Sequence, residues 1–488
     1  MVEDTEGNSG SPSISAAIRK IPTGIDGLDE ILDGGLPAAG LTLLSGGPGS
    51  GKTVIGLQFL VQGALLGHPG IMLTFEERED ALRCYSAAFG WDIGTLEAQG
   101  SIAIISARFN PDTMISGDFD LGSVMAILRY KARELQAKRV IIDAPDVLLM
   151  LLGDRIKERS ELYKLNEWLR DDGLCAVMTV KDSIGESSLS YREFLHYMAD
   201  CVIQLDQRVT DQVTTRRMRV IKFRGSAYGR NEYPFGITRE GAMVIPVTHA
   251  SLGHRALGEP ISSGIAGLDA ITSGGYRRNS CTLITGTSGT GKTTFACSFT
   301  REATSRGERV FYLNFEESLD AMVSCMLGPG IDLRPALESG LLRFVSIMPE
   351  SQGIEEHLIQ AFGVISEFDP AFIVVDAISA CRRMGSEQAA FDYMLRLIDH
   401  CKARGITSVL TNLTANSVEA LQITGMDLSS VIDMVVILRN IETCGALERE
   451  LLILKSRGRN HSNRVHRFGI SSSGVEIFGV GQEAGNAC

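Results

Sequence analysis

GGPGSGKT, Gly46 to Thr53, decides the fold of this chain because it matches the phosphate-loop pattern G-x-x-x-x-G-K-[ST]. The apolar run LTLLSG precedes the loop and a helical pattern follows it, which is the context that a phosphate loop requires. The glycines allow backbone N–H groups to surround phosphate oxygens, and the following helix points its positive end at them. The pattern returns as GTSGTGKT, Gly286 to Thr293, and two matches in the same context exclude a chance glycine-rich turn.

Further landmarks show that the whole chain is a tandem duplication. Early motifs recur 240 residues apart, namely GIDGLDEILDGG at Gly24 with GIAGLDAITSGG at Gly264, and FEE at Phe75 with FEE at Phe315. Late motifs recur 233 residues apart, namely the strand ends at Asp143 and Asp376, KFRG at Lys222 with KSRG at Lys455, and FGI at Phe235 with FGI at Phe468. The sequence therefore predicts two domains, residues 1–248 and 249–488, with a linker at Val247–Pro260.

Each half alternates short apolar runs with longer helical stretches. In the first half, six runs predict strands: LTLLSG, IMLTF, SIAIIS, RVIID, CAVMTV and CVIQL. Between two of them, KERSELYKLNEWLRDDG carries Leu162, Leu165 and Leu169 at helical spacing. Strands that are apolar throughout and alternate with helices predict the α/β class, here two domains that each hold a mainly parallel sheet flanked by helices.

The composition excludes several classes of protein. The chain has 488 residues, of which 44% are hydrophobic and 22% are charged, as in soluble globular domains. A net charge of −12 argues against nucleic acid as the main partner, because phosphate binding needs a positive surface. No apolar run approaches the roughly 18 residues that span a bilayer, so we expect no membrane association. The ten cysteines include no Cys-x-x-Cys pair, which suits a reducing cytoplasm.

The two loops predict ATP and Mg²⁺ as ligands. We expect Lys52 and Lys292 to reach the β- and γ-phosphates, and the hydroxyls of Thr53 and Thr293 to bind Mg²⁺. Asp143 and Asp376 end apolar strands and suit the carboxylate that holds the magnesium ion through water. The other expected ATP-binding residues of the loops are Gly47, Gly49, Ser50, Gly51, Thr287, Ser288, Gly289, Thr290 and Gly291.

Two further pairs of motifs carry charged residues with open interpretations. Glu76–Glu77 and Glu316–Glu317 follow the next strand of each half, where a carboxylate orients a nucleophile or where an acidic first turn complements a helix dipole. Lys222 with Arg224, and Lys455 with Arg457, are two residues apart on predicted strands and so project to one face. The residues on that face are either exposed to solvent, or they form a cationic finger that reaches the ATP bound by a neighbouring subunit.

These motifs together resemble the KaiC family of clock ATPases from about Ile21 to Glu476. The core motifs are shared with the wider RecA-like superfamily, whereas the duplication and the stretch from Lys222 to Phe235 are more specific. The resemblance implies two tandem RecA-like P-loop NTPase domains and a double-ring homo-hexamer with ATP between subunits. It also implies slow ATPase activity, with autokinase and autophosphatase chemistry in the second ring.

The resemblance gives individual residues roles. It assigns ATP hydrolysis to Glu76 and Glu77 and phosphotransfer to Glu316 and Glu317, with Glu316 as the favoured base. Residues that match the family's contacts to the phosphates or to a neighbour's nucleotide are Lys222, Arg224, Arg230, Arg383, Lys455, Arg457 and His461. The family commonly has a histidine at the position of Tyr228.

The segment GMDLSSVID matches the family's phosphorylated pair at Ser429 and Ser430, with Thr424 as a third site. The late spacing of 233 aligns the serines with His196 and Tyr197, so only the second half offers hydroxyl nucleophiles there. Without the resemblance, adjacent serines before a strand are usually caps or turn residues.

Partners and rival functions remain as expectations. The chain ends at Cys488, without the family's longer tail that binds KaiA, so we expect no dependence on KaiA. The region before GDFDL, Gly117 to Leu121, is shorter than in the family and leaves a KaiB-like partner open. The rival functions are a RecA- or RadA-like DNA-dependent ATPase and a non-catalytic scaffold assembled by ATP.

Overall fold

The computed structural model describes residues 18–107, 121–146, 155–181, 194–210, 213–246, 255–384, 387–414, 431–443 and 445–478. The chain divides into two compact units, Met1–Gln207 with Arg216–Val247, and Arg208–Thr215 with Thr248–Cys488. The predicted boundary after residue 248 falls outside the described ranges and stays a prediction.

The first unit is built on a nine-stranded sheet in the order β11-β10-β9-β8-β3-β7-β6-β4-β5, and the short strands β1 and β2 pair separately. The strands are β1 (Lys20–Ile21), β2 (Leu36–Pro37), β3 (Gly40–Gly46), β4 (Gly70–Thr74), β5 (Ile102–Ser106), β6 (Arg139–Asp143), β7 (Cys175–Lys181), β8 (Cys201–Thr210), β9 (Val213–Phe223), β10 (Glu232–Thr238) and β11 (Gly241–Val244). Strands β8, β3, β7, β6, β4 and β5 run parallel, whereas β9, β10 and β11 pair antiparallel.

The second unit repeats this order as β22-β21-β20-β19-β14-β18-β17-β15-β16, beside the short pair β12 and β13. The strands are β12 (Pro260–Ile261), β13 (Tyr276–Arg277), β14 (Cys281–Gly286), β15 (Val310–Asn314), β16 (Leu342–Ser346), β17 (Phe372–Asp376), β18 (Thr407–Leu413), β19 (Met434–Thr443), β20 (Ala446–Ser456), β21 (His466–Ser471) and β22 (Gly474–Ile477). The prediction of two α/β domains with mainly parallel sheets is confirmed. All six strands predicted from the apolar runs of the first half are present as β3 to β8. The predicted strands that carry Lys222 and Lys455 are β9 and β20, while the other antiparallel strands were not predicted.

Helices lie between the strands of both sheets. They are α1 (Leu28–Ile31), α2 (Lys52–Leu65), α3 (Glu79–Ala87), α4 (Ile93–Ala98), α5 (Leu121–Leu135), α6 (Arg155–Asp171), α7 (Ala266–Ile271), α8 (Lys292–Ser305), α9 (Leu319–Leu327), α10 (Arg334–Glu338), α11 (Ile354–Phe368) and α12 (Glu387–Arg404), with 3-10 turns at Pro349–Ser351 and Ile378–Met384. The predicted stripe of Leu162, Leu165 and Leu169 is buried on α6. In the described part of the chain, no helix combines the length and the apolar character that a membrane span needs.

The core of the first unit lies on both faces of its sheet. Successive residues of a strand point to opposite faces, so Leu44 and Ile141 pack against α1 and α2 while Leu43 and Ile142 pack against α6. Strands buried on both faces must be apolar at every position. This is why β3, β4 and β6 read as continuous apolar runs instead of alternating ones.

Strand pairing shows which residues of the second half are equivalent to which residues of the first. The spacing is 240 residues as far as β5 and β16, 233 at β6 and β17, and 233 again at β8 and β19. Between them, β7 and β18 correspond at 232, because Gly46 pairs with Lys181 while Gly286 pairs with Leu413. The late landmarks keep their spacing of 233, and the one-residue difference at this strand is compensated before β19.

The predicted linker is shorter than expected. Its last residue, Pro260, already belongs to β12, which pairs with β13. Leu257 and Gly258 accept hydrogen bonds from the Arg277 side chain, at 3.0 Å each. Residues 247–254 lie outside the described part of the chain, so a linker is tested only at its end.

Candidate functional site

Both phosphate loops lie at the carboxyl ends of the central strands, between β3 and α2 and between β14 and α8. Gly51 and Gly291 adopt the left-handed conformation, with φ of 95° and 96°. A Cβ at Gly51 would lie 2.7 Å from Ile237, and one at Gly291 would lie 2.6 Å from Ile470. Glycine is therefore required at both positions, because strands β10 and β21 pack closely against the loops.

The loop lysines fold over their own loops. Lys52 Nζ donates to the carbonyl oxygens of Gly46 at 2.7 Å and Gly47 at 2.8 Å. Lys292 Nζ donates to Gly286 at 3.0 Å and Thr287 at 2.8 Å. Burial lowers the pKa of Lys292, while Asp376 and Glu316 oppose that shift. Both ammonium groups thus lie over the backbone of their own phosphate loops.

Asp143 ends β6 beside the first loop. Its carboxylate accepts hydrogen bonds from Thr179 Oγ1 at 2.6 Å and from Thr53 Oγ1 at 3.3 Å. Burial raises the pKa of Asp143. A hydroxyl and a carboxylate at this distance are hard oxygen donors that fit Mg²⁺, which commonly keeps waters and substrate phosphates as its other ligands.

Asp376 occupies the equivalent place at the end of β17, but its neighbours differ. Its carboxylate accepts from the Tyr312 hydroxyl at 2.9 Å and from Thr411 Oγ1. The first half has Met72 where the second has Tyr312, so the tyrosine contact is specific to the second site. Thr293 is the second residue of α8, as Thr53 is of α2. Among the described residues, no cluster of three or more His, Cys, Asp and Glu side chains could hold a metal by itself.

The glutamate pairs follow β4 and β15, next to these aspartates. Thr74 Oγ1 accepts from the backbone N–H of Glu77 at 3.2 Å, and Asn314 Oδ1 accepts from those of Glu316 and Glu317 at 2.8 and 2.6 Å. These bonds hold the backbone of Glu77 in the first half, and of both Glu316 and Glu317 in the second, at the carboxyl edge of the sheet. Neither pair belongs to a helix, since α3 begins at Glu79 and α9 begins at Leu319.

The two sites differ in the charges that surround the first glutamate. Glu76 Oε1 forms an ion pair with Lys181 Nζ. Glu316 forms no ion pair with any described residue, and partial burial together with the charge of Asp376 raises its pKa. Arg383 opposes that shift, although its guanidinium pairs with Glu350 at 3.3 Å.

The Lys-x-Arg pair of the first half lies at the opposite edge of the sheet from its own phosphate loop. Lys222, near the end of β9, donates to the carbonyl oxygens of His196, Tyr197 and Ala199. Arg224 lies one residue beyond β9, and its backbone N–H donates to Asp200, which itself bonds Leu41 at the start of β3. The length of β3 separates this edge from the loop by about 20 Å.

The second half repeats the arrangement. Lys455 Nζ donates to the Ile432 carbonyl at 2.6 Å, and the Arg457 backbone N–H donates to Asp433 at 2.9 Å. Arg457 again lies just past its strand, β20, so the prediction that both cations belong to the strand was wrong by one residue. Both cations nevertheless contact the same segment, since Lys455 Nζ bonds Ile432 and the Arg457 guanidinium lies 3.5 Å from the Asp433 carboxylate.

For the remaining predicted residues, the structure gives a position in the fold or a single contact, or does not describe them. His461 lies between β20 and β21, at the place of Tyr228 in the first half, and the Arg230 guanidinium lies 5.9 Å from the Tyr228 ring. Ser429, Ser430 and Thr424 lie outside the described residues. The described residues that follow the serines, Val431 to Asp433, are at the amino edge of the second sheet.

Sequence reasoning missed Lys181, Asp146 and Tyr312. A signal for Lys181 existed, because it is a charged residue that ends the apolar run CAVMTVK at the edge where the phosphate loop lies. Tyr312 offered no such signal, since an aromatic residue inside an apolar strand is typical of a core.

A family model of the KaiC ATPase matches residues 21–249 and 261–482. The circadian clock protein KaiC2 of Synechocystis sp. is 38% identical over 96% of this chain and 82% of its own length. KaiC3 of the same organism is 32% identical, covering 94% of this chain and 92% of the relative. The circadian clock oscillator protein KaiC of Prochlorococcus marinus is 32% identical, covering 96% and 92% respectively.

Proposed function

The chain belongs to the KaiC ATPase family, and we propose that it is an ATP-hydrolysing serine autokinase that works as a homo-hexamer. The first half hydrolyses ATP, and the second half transfers the γ-phosphate to Ser429 and Ser430, with Thr424 as a third acceptor. One observation carries the proposal. In both halves, the phosphate loop lies at the carboxyl ends of the parallel strands, and the Lys-x-Arg cations lie at their amino ends.

That arrangement supports head-to-tail assembly. Lys222 and Arg224 are about 20 Å from their own loop and cannot contact a nucleotide bound there. A second copy that places this edge against the loop of the first would supply two positive charges to its phosphates. Head-to-tail contacts close into rings when the rotation between copies allows it. The ring thus completes each nucleotide site with a neighbour's residues.

In the first half, Glu76 and Glu77 orient a water molecule toward the γ-phosphate held by Lys52. The water oxygen forms the new bond to phosphorus while the bond to the β-phosphate oxygen breaks, so ADP leaves with the electron pair. The water proton passes to the nearby carboxylate and from there to solvent. Mg²⁺ held through Thr53 and Asp143 would neutralise phosphate charge.

In the second half, a serine hydroxyl replaces water. The serine oxygen bonds to the γ-phosphorus, the bond to ADP breaks, and the proton passes to Glu316. A carboxylate whose pKa is raised accepts a proton more readily, because the best general base has a pKa close to the working pH. The raised pKa of Glu316 therefore supports its role as the base. Thr293 and Asp376 are the counterparts for Mg²⁺.

The names of the relatives favour signalling over the rival functions. All three are called circadian clock proteins, which supports a clock or timing role and a KaiB-like partner over a DNA-dependent ATPase. Phosphorylation adds about −1.5 to −2 charges per serine. Those charges lie close in sequence to Asp427 and Asp433, and the resulting repulsion would change the subunit packing that a partner reads.

The test is incubation of the full chain with γ-labelled ATP and Mg²⁺, followed by phosphosite mapping. We expect label at Ser429 and Ser430, and loss of most label when both are changed to alanine. Ring assembly and nucleotide binding should persist in that variant, as measured by light scattering and equilibrium dialysis. Ser305→Ala, an exposed serine at the end of α8, is the matched control and should keep its label. Undiminished label on the double variant would refute the assignment of Ser429 and Ser430 as acceptors, and absence of label on the wild-type chain would refute the autokinase function.

A further inference from the structure

Lys181, the last residue of β7, lies among the acidic groups of the first nucleotide site. Its Nζ pairs with Glu76 Oε1, and its backbone N–H donates to Asp146 Oδ2 at 3.1 Å. The lysine and glutamate side chains keep 46% and 35% of their exposure, so both remain accessible to a ligand. An incoming charged group can therefore replace one partner of this ion pair.

Strand order places this lysine beside the phosphate loop. Lys181 pairs in parallel register with Gly46, the first residue of the loop, and neighbouring strands are about 4.8 Å apart. Burial raises the pKa of Asp146, and the charges of Lys181 and Lys52 oppose that shift. The two ammonium groups therefore belong to one charged cluster with Glu76 and Asp146.

The second half lacks this cluster at the equivalent place. Leu413 ends β18 opposite Gly286, and its backbone N–H donates to Ser379 Oγ at 3.2 Å. A leucine and a serine therefore stand where the first half has Lys181 and Asp146. The cation is a property of the first site and not of the shared scaffold.

We propose that Lys181 is a positioning residue that responds to the terminal phosphate of a nucleoside triphosphate in the first site. Without that phosphate, its ammonium neutralises Glu76. A bound γ-phosphate carries more negative charge than the Glu76 carboxylate and competes with it for the Lys181 ammonium. Glu76 is then free to orient water. A diphosphate has no group at this position, so the ion pair persists. The inference deepens the proposed ATPase function and rests on it.

The consequence is that Lys181 selects ATP over ADP in the first site. The full chain with Lys292→Met, which removes the phosphate-binding lysine of the second loop, confines the measurement to the first site. Affinities for a non-hydrolysable ATP analogue and for ADP are obtained by displacement of a fluorescent nucleotide. Lys181→Leu introduces the residue found at Leu413. Lys164→Leu removes an exposed lysine that pairs with Glu161 on α6 and serves as control.

We expect Lys181→Leu to lower the ratio of analogue affinity to ADP affinity by about tenfold, the size of one charge-assisted contact, with ADP affinity unchanged. Lys181→Arg should keep most of the ratio, and Lys164→Leu should keep all of it. An unchanged ratio in Lys181→Leu, an equal loss for both nucleotides, or a Lys181→Arg variant as defective as the leucine would each overturn the inference. Absence of ATP hydrolysis by the wild-type chain would instead refute the proposed function, while the affinity ratio would still be measurable.

Discussion

The first and second nucleotide sites share a scaffold strand for strand but differ in the charges around their glutamates. Glu76 is paired with Lys181, whereas Glu316 forms no ion pair with a described residue and has a raised pKa. Both glutamates follow equivalent strands in the same strand order, so the difference in charge does not come from the fold. It comes from the side chains that end the neighbouring strand, Lys181 and Leu413. One fold therefore gives the two glutamates different electrostatic surroundings.

A second difference lies at the amino edge of each sheet, below the Lys-x-Arg cations. In the second half, Lys402 and Asp433 form an ion pair at 2.7 Å with side chains only 7% and 6% exposed. In the first half, Arg170 and Asp200 form the equivalent pair at 2.6 Å, but the arginine is 47% exposed. Burial makes the loss of one partner costly, because the remaining charge stays in a poorly solvated place. The same contact thus contributes differently to stability in the two halves.

The largest expected effect distinguishes the activities of the two phosphate loops. We expect Lys292→Met to reduce serine phosphorylation by about 100-fold or more, because a preorganised donor to transferring phosphate is lost. Bulk ATP hydrolysis should persist in that variant and should fall instead in Lys52→Met. Phosphate release and label incorporation measure the two activities. Lys164→Met, on the exposed side of α6, should change neither, and persistent serine label in Lys292→Met would contradict the division of labour.

The buried pair gives the largest expected effect on stability. Lys402→Met should destabilise the second half by about 3 kcal/mol, whereas Arg170→Met should cost less than about 1 kcal/mol in the first half. Hydrogen exchange of amides in β14 and β3 reports the two halves. Both tryptophans of the chain, Trp91 and Trp168, lie in the first half, so their fluorescence transition should not move in Lys402→Met. Similar losses from both variants would show that burial does not distinguish the pairs.

Mixing variants tests whether the edge cations act on a neighbour. Lys455→Ala and Lys292→Met should each lose serine phosphorylation, the first through the cation and the second through the loop. In an equal mixture assembled after nucleotide removal, about a quarter of head-to-tail interfaces combine an intact loop with an intact cation. Recovery of about that fraction of labelling is expected. No recovery would indicate action within one subunit, and Lys222→Ala should leave serine labelling intact.

The smallest expected effect is a pH shift that sharpens the contrast between the glutamates. Glu316 must be ionised to accept a proton, and its pKa is raised. As the pH is lowered, phosphorylation should therefore be lost at a higher pH than it would be with an ordinary glutamate. Removing the opposing charge with Arg383→Ala should raise this pKa further and move the acidic limb to higher pH. Arg382→Ala, whose side chain pairs with Glu387 at 3.9 Å, is the neighbouring control. A limb that does not move in Arg383→Ala would argue against Glu316 as the base.

The sequence by itself determined the duplication, the α/β class, the six parallel strands of the first half and the position of both phosphate loops. These follow from local patterns: an apolar run predicts a buried strand, and G-x-x-x-x-G-K-[ST] between a strand and a helix predicts a phosphate loop. The acidic residues after β4 and β15 were also recognised, because they directly follow such strands. The duplication was found by comparing motifs 240 and 233 residues apart, whereas each of the other inferences uses only residues that are close together along the chain.

Only the tertiary structure decided which distant side chains meet. Strand β7 lies between β3 and β6, and this order brings Lys181 to Glu76 across 105 residues of sequence. Tyr312 meets Asp376 across 64 residues because β15 and β17 are neighbours, and the edge cations are far from their own loops because β9 and β20 run antiparallel. Local periodicity sets the type of each element, whereas strand order and register set the neighbours of each side chain. The charges around a carboxylate depend on those neighbours. A local pattern can mark a charged residue such as Lys181, but it does not reveal which carboxylate that residue meets.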